Sequence, residues 1–272
     1  MARQLCIEFE NAFYHVFSRG HNKQIIFYSN IDFLYFESLL EEFVLKFNIK
    51  IYAYCLMSNH YHLFLSTPLA NLSTAMKWLN QMYANHFLRM NKDKVGNVFS
   101  GRYKRILVQE ENYATVLIRY IHFNPVKANL CKAPADWTWS SYKLYLSNNP
   151  KKNFIDYDWV KQKFGLKHFT KNFIKYHQQP DIQEINLSSQ CLGDIDFHRK
   201  YFGDLKRSFN YSSRNNLARK SVNVKMRYGE EVRHLSEDLL LDAKTIAQQL
   251  NKTTNAIYKQ LRKLKKQKLM KK

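Results

Sequence analysis

The sequence predicts an α+β fold, in which an antiparallel ferredoxin-like or RRM-like sheet carries helices on one face. Three observations predict it: short apolar and aromatic runs alternate like strands, amphipathic helical segments separate them, and their order is βαββαβ with a further helix. A basic, mainly helical region follows. The predicted divisions are a first domain at 1–147, a helical linker region at 148–210 and a basic carboxy-terminal domain at 211–272.

Each element of the first domain follows from a local residue pattern. The first strand is rich in aromatic and β-branched residues and ends at Arg19-Gly20, and the hairpin turns at Ser58-Asn59. The last helix is predicted to end before Pro125, because proline disfavours a helical conformation in the preceding residue. The predicted strands are 12–18, 50–57, 61–66 and 106–109; the predicted helices are 32–47, 72–90 and 110–123, with two short ones at 159–164 and 169–177.

The charge balance indicates a polyanionic partner. There are 43 Lys and Arg against 22 Asp and Glu, a formal net charge of +21. Nucleic acid is favoured over a membrane surface, since no apolar run approaches the roughly 20 residues of a membrane span and no long amphipathic helix of the membrane-surface type is present. The four cysteines show no CxxC spacing, which predicts neither a disulfide framework nor a cysteine zinc site. We expect a cytoplasmic protein.

The stretch SNHYHLFL at 58–65 places two histidines on a predicted strand. His60 and His62 are at i and i+2, so they point to the same side of the sheet. Neutral imidazoles are common ligands of divalent metals, and this pair could hold one if a third ligand were present. The alternative is two core histidines that are satisfied by hydrogen bonds.

The predicted helix that follows the last strand offers a third ligand and a nucleophile. Tyr120 and Asn124 are at i and i+4, so a phenol and a carboxamide lie on one face, one turn apart. A metal held by both histidines and Asn124 would polarise a phosphate, and Tyr120 would attack phosphorus to give a 5′-phosphotyrosine. The alternatives are a helix cap for Asn124 and a core aromatic for Tyr120. Tyr113, on the same face, is a rival phenol, whereas His122 points away from that face in a regular helix and is expected to lie outside the site.

Two further groups of residues are candidates for DNA contact. A basic turn with an aromatic residue between its cations could grip the backbone and stack a base, and His15 and Arg19 could line the open sheet; the alternative is a solvated loop. Near the carboxyl end, segments 242–250 and 253–265 predict a helix-turn-helix, or else a plain helical hairpin. The candidates are Arg102, Tyr103, Lys104 and Arg105 in the turn, and Thr253, Thr254, Asn255 and Lys259 in the recognition helix.

Several motifs, taken in order, resemble the single-tyrosine HUH transposases, and among them the REP-associated tyrosine transposases. The motifs are MARQLCIEF…AFYHVFSRG, HYH, GRYK…YIHFNPVKA and WSSY, and the resemblance covers residues 1 to about 145. It implies the HUH endonuclease fold, with His60 and His62 as metal ligands, Tyr120 as nucleophile and Asn124 as third ligand. It also implies Mg²⁺ or Mn²⁺ as the ion, single-stranded or hairpin DNA as partner, and a monomer or homodimer.

The expected function is therefore that of a metal-dependent single-stranded DNA endonuclease and strand transferase acting at hairpin-associated, REP-like sites. The first alternative is a non-catalytic protein that binds or regulates DNA or RNA on the same fold. The second is a helix-turn-helix repressor whose first domain no longer cuts DNA.

Overall fold

The computed structural model describes residues 7–147, 152–179, 185 and 190–202. Within them the chain forms a five-stranded sheet in the order β2-β3-β1-β4-β5. The first four strands pair antiparallel in the order expected for a ferredoxin-like βαββαβ unit, which confirms the predicted fold class, and β5 adds to β4 in parallel. The strands are β1 Ala12–Arg19, β2 Lys50–Met57, β3 His60–Thr67, β4 Lys104–Val108 and β5 Cys191–Leu192.

Seven helices accompany the sheet in the described part of the chain: α1 Asn30–Phe47, α2 Leu72–Met90, α3 Glu110–Lys127, α4 Tyr142–Leu146, α5 Tyr157–Phe164, α6 Phe169–His177 and α7 Ile195–Phe202. Short 3-10 turns lie at His21–Lys23 and Pro134–Asp136. None of these helices is both long and apolar enough to span a membrane.

Helix α3 continues through Pro125 to Lys127, so the prediction that it ends before the proline was wrong. Proline removes one N–H from the helical ladder, but near a helix end this deprives only one carbonyl of its partner. The last turn is closed by the N–H of Ala128, which donates to the carbonyl of Asn124 at 3.0 Å. The end of α3 therefore stays helical.

Helices α1 and α2 cover one face of the sheet. Tyr61 of β3 points toward them: its ring centre lies 4.8 Å from that of Phe36 on α1, and its hydroxyl donates to Asn80 on α2. Tyr83 of α2 is fully buried and donates to the carbonyl of Ile26. Because side chains alternate along a strand, His60 and His62 point to the opposite face.

The opposite face, which the sequence predicts to be exposed, is partly covered by α3 and α5. Trp159 of α5 lies 4.0 Å from Tyr52 and 5.5 Å from Phe13, measured between ring centres. A stacked aromatic layer thus extends from the sheet into the segment that follows α4. Helix α3 packs beside it on β2 and β3.

Helix α3 is also tied to α6 and to the segment that precedes α4. His122 of α3 contacts Ser141 and His177 at 2.8 and 3.0 Å, and all three side chains are buried. Arg119 donates to the carbonyl of Gln179 and lies over the rings of Phe123 and Tyr176. The described residues after 151 therefore share one compact unit with residues 7–147. The three-part division by residue number stays a prediction, and the helix-turn-helix lies outside the described residues.

Candidate active site

His60 and His62 lie side by side at the start of β3. Their ring centres are 5.0 Å apart and the rings are almost perpendicular. His62 is buried, with 2% of its surface exposed, whereas His60 is part-exposed. In the register with β1, Arg19 is the Cα partner of His60 and Phe17 that of His62. The strand thus places both imidazoles on one face, as the sequence predicts.

Hydrogen bonds engage the Nδ1 atom of each imidazole. Asn59 donates through its amide nitrogen to the carbonyl of Lys23, so its Oδ1 faces His60 and accepts from Nδ1–H at 2.6 Å. The Nδ1 atom of His62 lies 2.9 Å from Nε2 of His15. Both contacts leave the Nε2 atoms of His60 and His62 for a ligand. Imidazoles that bind metals are usually held in this way by their second nitrogen.

The electrostatics of the site keep its imidazoles neutral. Burial, followed by the nearby Arg19 charge, lowers the pKa of His60 to about 4. Burial, together with His15 and His60, holds the pKa of His62 well below its usual range. Burial alone lowers the pKa of His15 to about 3. At neutral pH a lone pair is therefore available on each ring, which is the form that binds a metal.

Tyr120 lies against the histidines. Its ring centre is 6.1 Å from that of His62 and 5.9 Å from that of His15, both in edge-on arrangements. Helix α3 carries Tyr120, and the burial of Leu117, Ile118 and Ile121 on the same helix holds the helix in place. Tyr120 keeps 7% of its surface exposed, and the ammonium of Lys127 lies 5.0 Å from its ring centre. The phenol is near the histidine pair but largely enclosed.

Asn124 is part-exposed one turn after Tyr120. Its amide nitrogen donates to the carbonyl of Tyr120 at 2.9 Å, which leaves the amide oxygen as the atom that could bind a metal. Among the described residues, no group of three or more His, Cys, Asp or Glu side chains is arranged to hold a metal ion. A site here would thus rest on two imidazoles and an oxygen ligand of another kind, such as an amide or water.

The other aromatic and histidine candidates of α3 lie elsewhere. Burial, followed by Asp194 and Cys191 at and just after β5, raises the pKa of Tyr113. His122 is fully buried among Ser141 and His177, on the side of α3 that faces α6. The expectation that His122 stays outside the site agrees with this position.

The predicted DNA contacts divide between the two faces of the sheet. Lys104 is exposed and is the Cα partner of Phe17, so it shares the face of His62, as Arg19 does. Arg105 pairs with Val16 and points to the opposite face. The hydroxyl of Tyr103 lies 3.4 Å from Ser73 in the first turn of α2. Arg102 is exposed in the turn before β4, while Thr253, Thr254, Asn255 and Lys259 lie outside the described residues.

Sequence reasoning gave too little weight to His15. It was considered only as a residue that might line the open sheet, yet the structure joins it directly to His62. The signal was present in the alternation of β1, where His15, Phe17 and Arg19 share one face. Which partner strand they meet depends on the register between β1 and β3, and that register is not visible in local patterns.

The part of the chain that forms the first four strands and the histidine pair is similar to a known protein family. Residues 8–124 match the family described as IS200-like transposases. This part of the chain is similar to that family. The match supports a transposase role, and the matched range contains all four residues of the predicted centre: His60, His62, Tyr120 and Asn124. No curated protein gives a significant match to the chain.

Solved structures also resemble the described part of the chain in fold. A REP-associated tyrosine transposase bound to a REP hairpin is 12% identical with a TM-score of 0.50, and the match covers 71% of this chain and 100% of the other. A protein from Deinococcus radiodurans R1 that carries a transposase assignment is 17% identical with a TM-score of 0.32, covering 44% of this chain and 94% of the other. The first likeness shows a shared fold, and the second adds nothing to it.

Proposed function

We propose that the transposase domain cuts and rejoins single-stranded DNA through a covalent 5′-phosphotyrosine at Tyr120. The observation that carries the proposal is the 6.1 Å separation between the ring centres of Tyr120 and His62 within one chain. A phenol is an established type of nucleophile in covalent catalysis, and this one lies beside a pair of neutral imidazoles. The fold is shared with a transposase bound to a REP hairpin, which supports a REP-like hairpin DNA as substrate.

The histidine pair fits a divalent metal ion, for which we propose Mg²⁺ or Mn²⁺. Both Nδ1 atoms are engaged and both rings are neutral, so the Nε2 atoms of His60 and His62 are suited to ligation, with the amide oxygen of Asn124 as third ligand. Such a small ligand set would leave the ion several waters, as Mg²⁺ usually retains. When bound, the ion would polarise a phosphate oxygen and stabilise its developing charge.

The transfer balances without a further reactant. The phenolic oxygen of Tyr120 forms a bond to phosphorus, the bond from phosphorus to the 3′ oxygen breaks, the phenolic proton goes to solvent and the 3′ oxygen takes a proton. Attack by the 3′-hydroxyl of another strand reverses these changes and releases the phenol, so no ATP is required. Since Tyr120 is only 7% exposed, we expect DNA binding to make its phenol more accessible.

The test is adduct formation with the full-length protein. A labelled pool of hairpin oligonucleotides with randomised single-stranded flanks is incubated with protein and Mn²⁺ and resolved on a denaturing gel. Tyr120→Phe should abolish the covalent adduct and leave DNA affinity nearly unchanged, since only the attacking oxygen is removed. Tyr113→Phe is the matched control and should keep the adduct.

Loss of the adduct in Tyr113→Phe, with its retention in Tyr120→Phe, would show that the nucleophile is misassigned. His60→Ala should reduce cleavage more than DNA affinity, because the imidazole is proposed to hold the ion rather than the strand. An equal loss of both would contradict that role. Since His62 and Tyr120 come from one chain, cleavage by a monomer is expected, whether or not two copies associate.

A second candidate function is binding or regulation of DNA or RNA without cleavage. The observation that favours it is the enclosure of Tyr120, which leaves little of the phenol accessible to a phosphate. In that case the protein would bind hairpins equally well with and without a chelator, and no adduct would form with any member of the pool.

A further inference from the structure

The sheet face that carries His62 is covered at one end and accessible at the other. Trp159 packs over Phe13 and Tyr52 at the covered end. Toward the opposite end the side chains lie at the surface. We call this region the open end of the face; it consists of part-exposed Phe17 and His60 and exposed Arg19 and Lys104.

Phe17 lies at the centre of the open end. Its ring centre is 5.2 Å from that of His15 and 5.6 Å from that of His62, so it adjoins the candidate metal ligand. Its Cα partners across the sheet are His62 on β3 and Lys104 on β4. Arg19 follows two residues later on the same face. One part-exposed aromatic ring thus has a cationic residue across the sheet and another along its own strand.

The charge of this surface suits an anion. The four antiparallel strands contain no Asp or Glu at all: their sequences are AFYHVFSR, KIYAYCLM, HYHLFLST and KRILV. The permanent charges that the strands contribute to the open end are those of Arg19 and Lys104. A backbone of phosphates is attracted along such a surface, while the ring between the cations offers a flat apolar contact.

We propose that Phe17 is a stacking platform for the nucleobase next to the scissile phosphate, and that Arg19 and Lys104 hold the neighbouring phosphates. This inference rests on the proposed function, since it names how that site grips a single strand. The occupant is an unpaired base of single-stranded DNA. In a duplex the base faces are stacked on one another and are not available to the ring.

A purely structural role explains Phe17 less well. Tyr52 and Phe64 lie on the same sheet face and are buried under Trp159, with ring separations of 4.0 and 5.9 Å. Phe17 lies outside that layer and is part-exposed. A part-exposed aromatic ring beside cations is suited to single-strand binding, because every base has a π-face that can stack on it.

The test measures DNA affinity without cleavage. Full-length Tyr120→Phe protein serves as the parent, and its binding to a fluorescent hairpin with single-stranded flanks is followed by anisotropy over a range of salt concentrations. Phe17→Leu should weaken binding about 5- to 150-fold, the loss expected for one stacked base. Phe17→Tyr should stay within about threefold of the parent, since it keeps the ring. Phe47→Leu changes another part-exposed aromatic, at the end of α1, and should bind as the parent does.

Two further measurements, the salt dependence of DNA affinity and the fluorescence of 2-aminopurine in the flanks, distinguish loss of base stacking from loss of a charge contact and from misfolding. Phe17→Leu should leave the slope of log affinity against log salt unchanged, whereas Lys104→Gln should reduce it by about 0.7, the value for one phosphate contact on a single strand. A 2-aminopurine scan of the flanks should show one position whose fluorescence is quenched by the parent and by Phe17→Tyr. That quenching should be absent in Phe17→Leu at a protein concentration that saturates the DNA.

The outcomes distinguish this inference from the proposed function. If the Tyr120 adduct forms but Phe17→Leu binds like the parent, or Phe17→Tyr is as weak as Phe17→Leu, the stacking platform is wrong and the proposed function stands. If the parent binds no single-stranded DNA, both are wrong. Loss of affinity in Phe17→Leu with an unchanged salt slope and loss of the quenched position would establish the platform.

Discussion

His122 of helix α3 and His177 of helix α6 form a hydrogen bond of 3.0 Å between Nδ1 and Nε2, deep inside the protein. The proton positions in this contact are determined. The Nδ1–H of His177 donates to the carbonyl of Phe173, so the Nε2 atom of His177 accepts from the Nδ1–H of His122. The Nε2 atom of His122 therefore accepts from the hydroxyl of Ser141. The hydroxyl oxygen of Ser141 in turn accepts from the N–H of Tyr54. This chain of bonds links the helix that carries Tyr120 to β2 and to α6.

The first prediction concerns pH and stability. Burial lowers the pKa of His177 to about 4, against about 6.5 in the unfolded chain. As the pH falls below about 6.5, the unfolded state therefore binds a proton before the folded state does. The stability contributed by the neutral ring is present above about pH 6.5 and lost as the pH falls toward 4. Denaturant unfolding at several pH values should show this loss. In His177→Gln the decline over this range should be smaller by about 3 kcal/mol.

The control for this prediction is His168→Asn, which replaces an exposed histidine in a left-handed conformation that asparagine tolerates. It should leave the pH dependence of the parent unchanged. A decline of equal size in His177→Gln and in the parent would show that His177 is not the group that titrates.

The second prediction concerns Ser141. Ser141→Ala removes the hydroxyl that satisfies both His122 Nε2 and the N–H of Tyr54, and leaves two buried polar atoms without that partner. The free energy of unfolding should fall by about 2 to 4 kcal/mol, the cost of unsatisfied buried groups. Chemical denaturation measures it. Ser38→Ala, on an exposed part of α1, should change the free energy by less than about 0.5 kcal/mol.

The third prediction concerns Lys152 and Glu37. The ammonium of Lys152 pairs with the buried carboxylate of Glu37, which also accepts from the hydroxyl of Tyr54 at 2.7 Å. Lys152→Met leaves that carboxylate buried without its cation and should destabilise the protein by about 3 to 5 kcal/mol in denaturant unfolding. Lys161→Met, which breaks a surface pair with Asp158, should cost less than about 1 kcal/mol. Equal effects would mean that Lys152 is not docked on the domain.

The fourth prediction concerns His15. For Nε2 of His62 to bind a metal, its Nδ1–H must donate to Nε2 of His15. His15→Phe keeps a ring of similar shape and removes the acceptor, so Mn²⁺ affinity by titration calorimetry should fall about 10- to 100-fold. His15→Gln can accept through its amide oxygen and should recover part of the loss. A full Mn²⁺ affinity in His15→Phe would show that His62 is oriented by other contacts.

The sequence was sufficient for the sheet, the histidine pair and the helix that carries Tyr120, because these depend on local periodicity and on the spacing of named residues. It did not reveal the covering of the second face by Trp159, or the link from His122 to Ser141 and His177. Such contacts join segments far apart in the chain, and neither a lone tryptophan nor a lone histidine indicates its partner. The end of α3 was misjudged because Pro125 is tolerated in a last helical turn.

The bonds around His122 and Arg119 also bear on how two copies of this protein could associate. Exchange of helix α3 between two copies, as in a domain-swapped dimer, would break those buried contacts and leave their polar groups unsatisfied. Each copy in a dimer would therefore keep its own Tyr120 beside its own His62, and under the proposed function neither copy would need a residue from the other.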